Sequence, residues 1–479
     1  MRKKWLRLIV PAGMLLLLSG CLFRTPDDLY RLPERSAGYD QLNAVIRTVR
    51  SELESEYGTS IDNAVIVSGE NTATIQLQDL DGDGERESAI TFLRVPGIEK
   101  AIKIYIFNQV DGQYQVTGMV EGDGATIHSV DYVDLNGSGR KEIVVNWQIS
   151  TGVYQVGAYT LDELAAPTIK QTNDTAAVPQ AQKKPDLMAT ELLLTGCSGY
   201  RLMDIDQDSR TEIAVAVLDS GGVDSYVEIY SWQEADFTKT QAPLSAGVVT
   251  LSRMLPDYLA GEYYTPALYV TCALADGSKT VDVLAMRNDQ LVNLALATGK
   301  SDDPAVSPNI LQSYLGVGPT DINGDMVVEL PSPSPLPSYG DSSAANFWLI
   351  DWSQYDKNGS CNPVMTTYHN VSDSWYLVIP DQWKNQITIS RNDSLSGQRE
   401  VVFSWWPAGG QEPVPFLSIY RLTGNNRTAH ANWDGRFILR EERDIIYAAQ
   451  FYDCGWDCGL NQTELLDSFR TIQPSWNSD

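Results

Sequence analysis

Histidine is scarce in this chain, and basic side chains are heavily outnumbered. Its 479 residues include three histidines, His128, His369 and His430, and 35 Lys and Arg against 62 Asp and Glu, for a net charge of −27. No histidine stands at ligand spacing to a cysteine, which disfavours a zinc site. So acidic a surface repels phosphate backbones, which argues against nucleic acid as a partner and against broad contact with anionic lipid. It suits cation binding or simple solubility. Also missing are a Gly-x-Ser-x-Gly elbow, a Cys–His pairing, and the Gly-x-x-x-x-Gly-Lys and Gly-x-Gly-x-x-Gly loops that cradle phosphates. Carboxylate pairs for glycoside chemistry arise by accident among so many acids and point to nothing in particular. No catalytic constellation stands out, and the sequence leans towards a protein that is not an enzyme.

What is present begins at the N-terminus. Arg2, Lys3, Lys4 and Arg7 precede an apolar run from Leu8 to Leu18, followed by Ser19, Gly20 and Cys21. A basic head, a short apolar core and small residues describe an export signal over residues 1–20. The run is shorter than the roughly 20 apolar residues that span a bilayer. Leu18-Ser19-Gly20-Cys21 resembles the lipobox of bacterial lipoproteins. The resemblance implies cleavage before Cys21, acylation of its thiol (palmitate among the chains), and anchoring to the extracytoplasmic face of the bacterial cell membrane. Residues 21–37 then read as the lipidated cysteine and its tether. Losing residues 1–20 removes four cations and no acid, so the mature chain is more acidic still.

Five cysteines remain, Cys197, Cys272, Cys361, Cys454 and Cys458, and an odd number in an exported protein leaves at least one free thiol or an intermolecular bond. Cys454-Gly-Trp-Asp-Cys458 is the disulfide candidate. A length of 479 residues and 43% hydrophobic residues allow several real cores.

An internal repeat organises residues 59–370. Each unit has an apolar alternation, an acidic turn with Glu at its ninth position, and a second apolar run. Asp79-Leu-Asp-Gly-Asp-Gly-Glu-Arg-Glu87, Asp134-Leu-Asn-Gly-Ser-Gly-Arg-Lys-Glu142, Asp204-Ile-Asp-Gln-Asp-Ser-Arg-Thr-Glu212 and Asp321-Ile-Asn-Gly-Asp-Met-Val-Val-Glu329 carry the turn. A degenerate copy, Asp257-Tyr-Leu-Ala-Gly-Glu-Tyr-Tyr-Thr265, fills the long gap. The spacings are 55, 70, 53 and 64 residues. About four strand-like runs fall in each unit; in the second they are 129–133, 142–147, 154–160 and 167–171. Short strands at this period predict a mainly β chain with a β-propeller of about five four-stranded blades, because one blade cannot cover both its faces alone. The turn pattern resembles the FG-GAP and VCBS repeats of integrin-type propellers. The chain has five units where those propellers usually have seven, and lacks the Phe-Gly and Gly-Ala-Pro tripeptides.

Calcium takes six to eight oxygens and favours alternate carboxylates on a tight turn. The first turn offers Asp79, Asp81, Asp83, Glu85 and Glu87; the third, Asp204, Asp206, Asp208 and Glu212; the fifth, Asp321, Asn323, Asp325 and Glu329. A structural Ca2+ is expected first of all in the first turn. The second and fourth read as hydrogen-bonded turns alone. An EF-hand needs Glu at position twelve, where the first turn has Ile90.

Outside the repeat, Leu42, Val45, Ile46, Val49 and Leu53 predict an amphipathic helix within residues 38–58, covering one edge of the propeller. Pro331-Ser-Pro-Ser-Pro-Leu-Pro337 reads as a stiff loop within the last blade. Residues 371–479 predict a small α+β sandwich domain, with strands near 374–380, 387–389, 401–406, 416–420 and 445–451. Asn461-Gln-Thr-Glu464 caps a helix expected to run through Ile472. A strand followed by Pro-x-x-Trp and a closing helix resembles PsbP-like domains, which implies an accessory or assembly role. Trp375, Trp383, Trp405, Trp406, Trp433 and Trp456 are expected in its core. The functional expectation is a membrane-anchored, non-enzymatic binding or scaffold module contacting an extracellular protein or glycan. The rival is a secreted carbohydrate-active hydrolase or lyase on a propeller scaffold.

Overall fold

The computed structural model describes residues 37–162, 188–219, 221, 224–297, 305–311, 316–337, 339, 347–407, 412–433 and 435–472. The signal segment, Cys21, the tether up to residue 36 and the strand expected at 167–171 lie outside them. The described residues are mainly β, arranged as six sheets with a few helices. They divide into two compact units, 37–126 with 188 and 189, and 127–162 with 190–472.

In the first unit the helix Ala37–Tyr57 lies on sheet I, formed by Asp62–Asn63, Ile75–Gln78, Ser88–Arg94, Ile102–Val110 and Gln113–Gly122. Leu42, Ile46, Val49 and Leu53 recur at helical spacing and bury against Ala89, Leu93 and Phe107. Ala89 and Leu93 share one side of their strand, so the helix covers a face of this sheet. Each of these helix side chains is worth roughly 1.5–3 kcal/mol when removed from water.

The second unit begins with three four-stranded meanders. Sheet II contains Thr126–Val133, Glu142–Ser150, Val153–Thr160 and Thr190–Cys197; its fourth strand is therefore Thr190–Cys197. Sheet III contains Gly199–Met203, Glu212–Val217, Tyr226–Gln233 and Asp236–Pro243. Sheet IV contains Val248–Leu259, Thr265–Leu274, Lys279–Arg287 and Gln290–Asn293, with Ile310–Leu311 added beside Lys279–Arg287.

The inner strands are apolar at nearly every position because both of their faces are covered. Ile213 and Val215 of sheet III pack with Val144, Val156 and Ala158 of sheet II. Their neighbours Ala214 and Ala216 point the other way, into Leu268, Val270 and Cys272 of sheet IV. Ala267 and Tyr269 of sheet IV turn in their turn towards Leu330 and Tyr355 of sheet V. The period of two thus sends alternate residues of one strand into two different cores.

Sheet V contains Glu329–Pro335, Trp348–Tyr355, Cys361–Asn370, Trp375–Ile379 and Phe469–Thr471. Three expectations are corrected here. The proline-rich stretch is not a loop but an edge strand, with Pro331, Pro333 and Pro335 paired to Trp352, Ile350 and Trp348. Alternate prolines put every missing N–H on the outward side, while Leu336 N still donates to Phe347 O at 2.8 Å. Such an edge also blocks further strand addition. The boundary expected at 371 falls inside one sheet, since Thr366–Asn370 pair with Trp375–Ile379. The terminal helix is short: Gln462–Ser468, opened by a complete Asn461/Glu464 capping box, gives way to the strand Phe469–Thr471, which pairs with Trp375–Leu377.

Sheet VI runs Ile387–Asn392, Gln398–Trp405, Val414–Thr423, Ile445–Phe451 and Arg436–Glu441, the last two strands exchanging places relative to a meander. Sheets V and VI share a core of Leu377, Ile389, Phe403, Leu417, Ile419, Leu465 and Phe469. Trp375 and Trp383 belong to it as expected, and Trp383 Nε1 donates to Cys458 O at 2.7 Å. Trp405, Trp406 and Trp456 are half-buried, whereas Trp433 is exposed. The disulfide candidate is not formed. Cys454 and Cys458 are free thiols, directed at the carbonyls of Trp456 and Leu460 respectively.

Candidate functional site: the acidic turns

Four acidic turns have one backbone design. The first residue of each is an aspartate whose Oδ2 accepts the amide of residue six: Gly84 to Asp79, Gly139 to Asp134, Ser209 to Asp204 and Met326 to Asp321, at 2.8–3.1 Å. Residue three accepts from residue five, and residue five from residue seven. In the second turn Ser138 N donates to Asn136 and Arg140 N to Ser138; in the third, Asp208 N donates to Asp206 and Arg210 N to Asp208. Residues four and six take positive φ in every case, occupied by Gly82 and Gly84, Gly137 and Gly139, Gln207 and Ser209, Gly324 and Met326. The second turn builds this ladder with Asn136 and Ser138. The ladder therefore needs hydrogen-bonding side chains and no particular charge.

The ninth residue distinguishes the turns. Glu142, Glu212 and Glu329 open the next strand and are 0–1% exposed. In each, Oε2 accepts the amide of residue two, from Leu135, Ile205 and Ile322 at 2.8–3.0 Å. Their second oxygens have different surroundings. In the second turn Glu142 Oε1 accepts Asn136 Nδ2 at 2.8 Å and Thr160 Oγ1 at 3.1 Å. In the fifth, Glu329 Oε1 accepts Asn323 Nδ2 and Gln354 Nε2, both at 2.7 Å, and the same two amides reach Asp325. Neutral side-chain donors thus satisfy the second oxygen of the buried glutamate in both sites.

The third turn has Asp206 where those turns have asparagine, and a carboxylate donates nothing. Oxygens of Asp204, Asp206 and Glu212 lie within 4.8 Å of one another. Asp204 Oδ1 is buried with no hydrogen-bond partner. Burial pushes the Glu212 carboxyl up to about 8, with the charges of Asp206, Asp208 and Asp204 acting in the same direction. Burial also lifts Asp206. Glu329 rises to about 7, again chiefly by burial. An oxygen without a donor beside two further carboxylates fits a hard cation such as Ca2+, which takes oxygen ligands only. Asp204, Asp206 and Glu212 would hold it.

The ligand sets expected from sequence are only partly assembled. Asp208 is turned away, held by Arg210 through Nε and Nη2, and the guanidinium lowers its carboxyl. In the first turn Asp79, Asp81 and Asp83 come together. Glu85 and Glu87 stand outside that cluster and are exposed, because Glu87 precedes its strand instead of opening it. In the fifth turn Asp321, Asp325 and Glu329 cluster, with Asn323 serving as a donor to the acids. Asp206 against Asn136 and Asn323 was legible in the sequence; what sets the third turn apart from the first, which has Asp81 at the same position, is the burial of Glu212, and that was not.

The fourth copy has become a tight hairpin, Leu259 pairing with Thr265. It touches the turn before it through Gln207 Nε2, which donates to Tyr264 O at 2.9 Å. It touches sheet V through Ala260 N, which donates to Tyr355 O at 2.8 Å. No family model matches the chain, and no curated protein matches it.

Proposed function

We propose that this chain is a lipoprotein anchored through Cys21 on the extracytoplasmic face of a bacterial membrane, serving as a non-enzymatic binding or scaffold module. Its repeated sheets form a propeller-like array, and a structural Ca2+ sits in the third turn. The observation that carries the reading is the packing of sheets II to V one on the next, with one turn design recurring ahead of an inner or first strand in sheets II, III and V. Such a stack is a rigid support from which loops are displayed, and loops on a rigid scaffold are where recognition concentrates. The basic head, short apolar core and Leu18-Ser19-Gly20-Cys21 support the anchor.

Labelling cells with palmitate tests the anchor. Wild-type protein is expected to take up label and to be cleaved by protease added to intact spheroplasts. Cys21→Ala is expected to lose the label and leave the membrane fraction. Label retained by Cys21→Ala, or protection from protease until the cells are lysed, would overturn the reading.

A further inference from the structure

The fourth repeat has exchanged its acidic ligands for aromatic rings. Its hairpin exposes Tyr258, Tyr263 and Tyr264, and Tyr263 is 73% exposed. A ring as exposed as Tyr263 gains little for folding, and clustered exposed aromatics are characteristic of binding surfaces. Local contacts hold them in place. The rings of Tyr258 and Tyr264 meet edge to face at 5.6 Å, and Tyr258 O accepts Tyr269 Oη at 2.9 Å. Gln207 ties Tyr264 to the third turn, and Ala260 ties the hairpin to Tyr355. Gln354, next to Tyr355, donates to Asp325 of the fifth turn at 2.8 Å. Carboxylates lie close by: Asp257, next to Tyr258, feels the charges of Asp321 and Asp325 of the fifth turn, and Glu262 lies within the hairpin itself.

We propose that this acidic and aromatic surface docks a Lys/Arg-rich segment of a partner protein. Guanidinium and ammonium groups stack on tyrosine faces while neighbouring carboxylates match their charge. The chain's net charge of −27 steers a cationic segment towards it. Anionic glycans and lipid headgroups meet repulsion at the same place. The inference rests on the binding-module reading and gives that module's partner a chemistry.

The test is fluorescence anisotropy of a labelled Lys/Arg-rich peptide against the whole protein at physiological salt. A neutral peptide, an acidic peptide and a neutral oligosaccharide serve as comparison ligands. The basic peptide is expected to bind and the others not. Tyr263→Ser should weaken binding about threefold and Tyr258→Ser/Tyr263→Ser about tenfold, although neither changes the protein's charge. Glu52→Gln/Glu54→Gln, on the helix Ala37–Tyr57, removes two charges far along the sequence and should leave the affinity almost unchanged. Equal binding by wild type and the tyrosine variants would reduce the effect to net charge and overturn the proposal, as would no binding of the basic peptide or a preference for the oligosaccharide. Palmitate labelling of the same preparation reads the anchor separately, so either idea can fail without the other.

Discussion

Replacing Asp206 by asparagine should stabilise the metal-free protein and remove its response to calcium at that turn. Asp206 Oδ1 accepts Asp208 N at 3.1 Å, just as Asn136 Oδ1 accepts Ser138 N at 2.9 Å. The substitution keeps that bond and puts an amide where the second carboxylate oxygen was. In the second and fifth turns this amide donates to the buried glutamate at 2.8 and 2.7 Å. A net hydrogen bond contributes about 1 kcal/mol, and the repulsion of one carboxylate disappears as well. For a unit of this size, about 1 kcal/mol corresponds to about a 2 °C rise in Tm in a chelator. In the wild type, 10 mM Ca2+ at an extracellular-type affinity stabilises by about 2 kcal/mol, and the variant should lose the third turn's share. The pH dependence follows from Glu212. Its folded value, about 8, lies above the unfolded one, so the native state holds a proton that the unfolded chain releases. That stabilisation is complete below about pH 4.5 and lost as pH rises through about 8. Calcium should flatten this slope in the wild type. Calorimetric melts in chelator and in calcium, at pH 5 and pH 8, measure all of these effects. A lower Tm for Asp206→Asn in chelator would refute the comparison between turns on which the calcium assignment rests.

Two further perturbations probe the same framework. Ser209 holds φ of 70° where the first and second turns have glycine, and a side chain in that region costs about 1 kcal/mol, so Ser209→Gly should raise the urea midpoint by up to that amount. His369 stacks on Tyr376 with ring centroids 4.9 Å apart, and both its nitrogens are buried without partners. Burial lowers its pKa to about 3, so stability present above about pH 6.5 is lost as pH falls towards 3, at up to about 1.4 kcal/mol per pH unit. His369→Phe should remove that contribution in denaturant melts between pH 7 and pH 5; an unchanged slope would mean that the imidazole is hydrated.

Local chemistry dictated much of this molecule. The stripe from Leu42 to Leu53 placed the first helix, and the strand runs of residues 445–451 appear as Ile445–Phe451 in the structure. Asn461 and Glu464 set the start of the last helix, because a capping box depends only on neighbours in sequence. The recurrence of Asp at the first position of the turn, with left-handed residues at the fourth and sixth, fixed the loops for the same reason. Where partners come from elsewhere in the chain, sequence was silent. The helix stops at Ser468 because Phe469–Thr471 finds Trp375–Leu377, more than ninety residues away, and the prolines after Glu329 form a strand because Trp348–Tyr355 offers an edge. Glu87 and Glu212 occupy the same place in the repeat, yet only Glu212 is buried, since burial depends on whether the residue opens the next strand. Composition and period decide which elements form. Only packing decides which carboxylates lose their water, and that loss is what makes an acidic turn chemically distinctive.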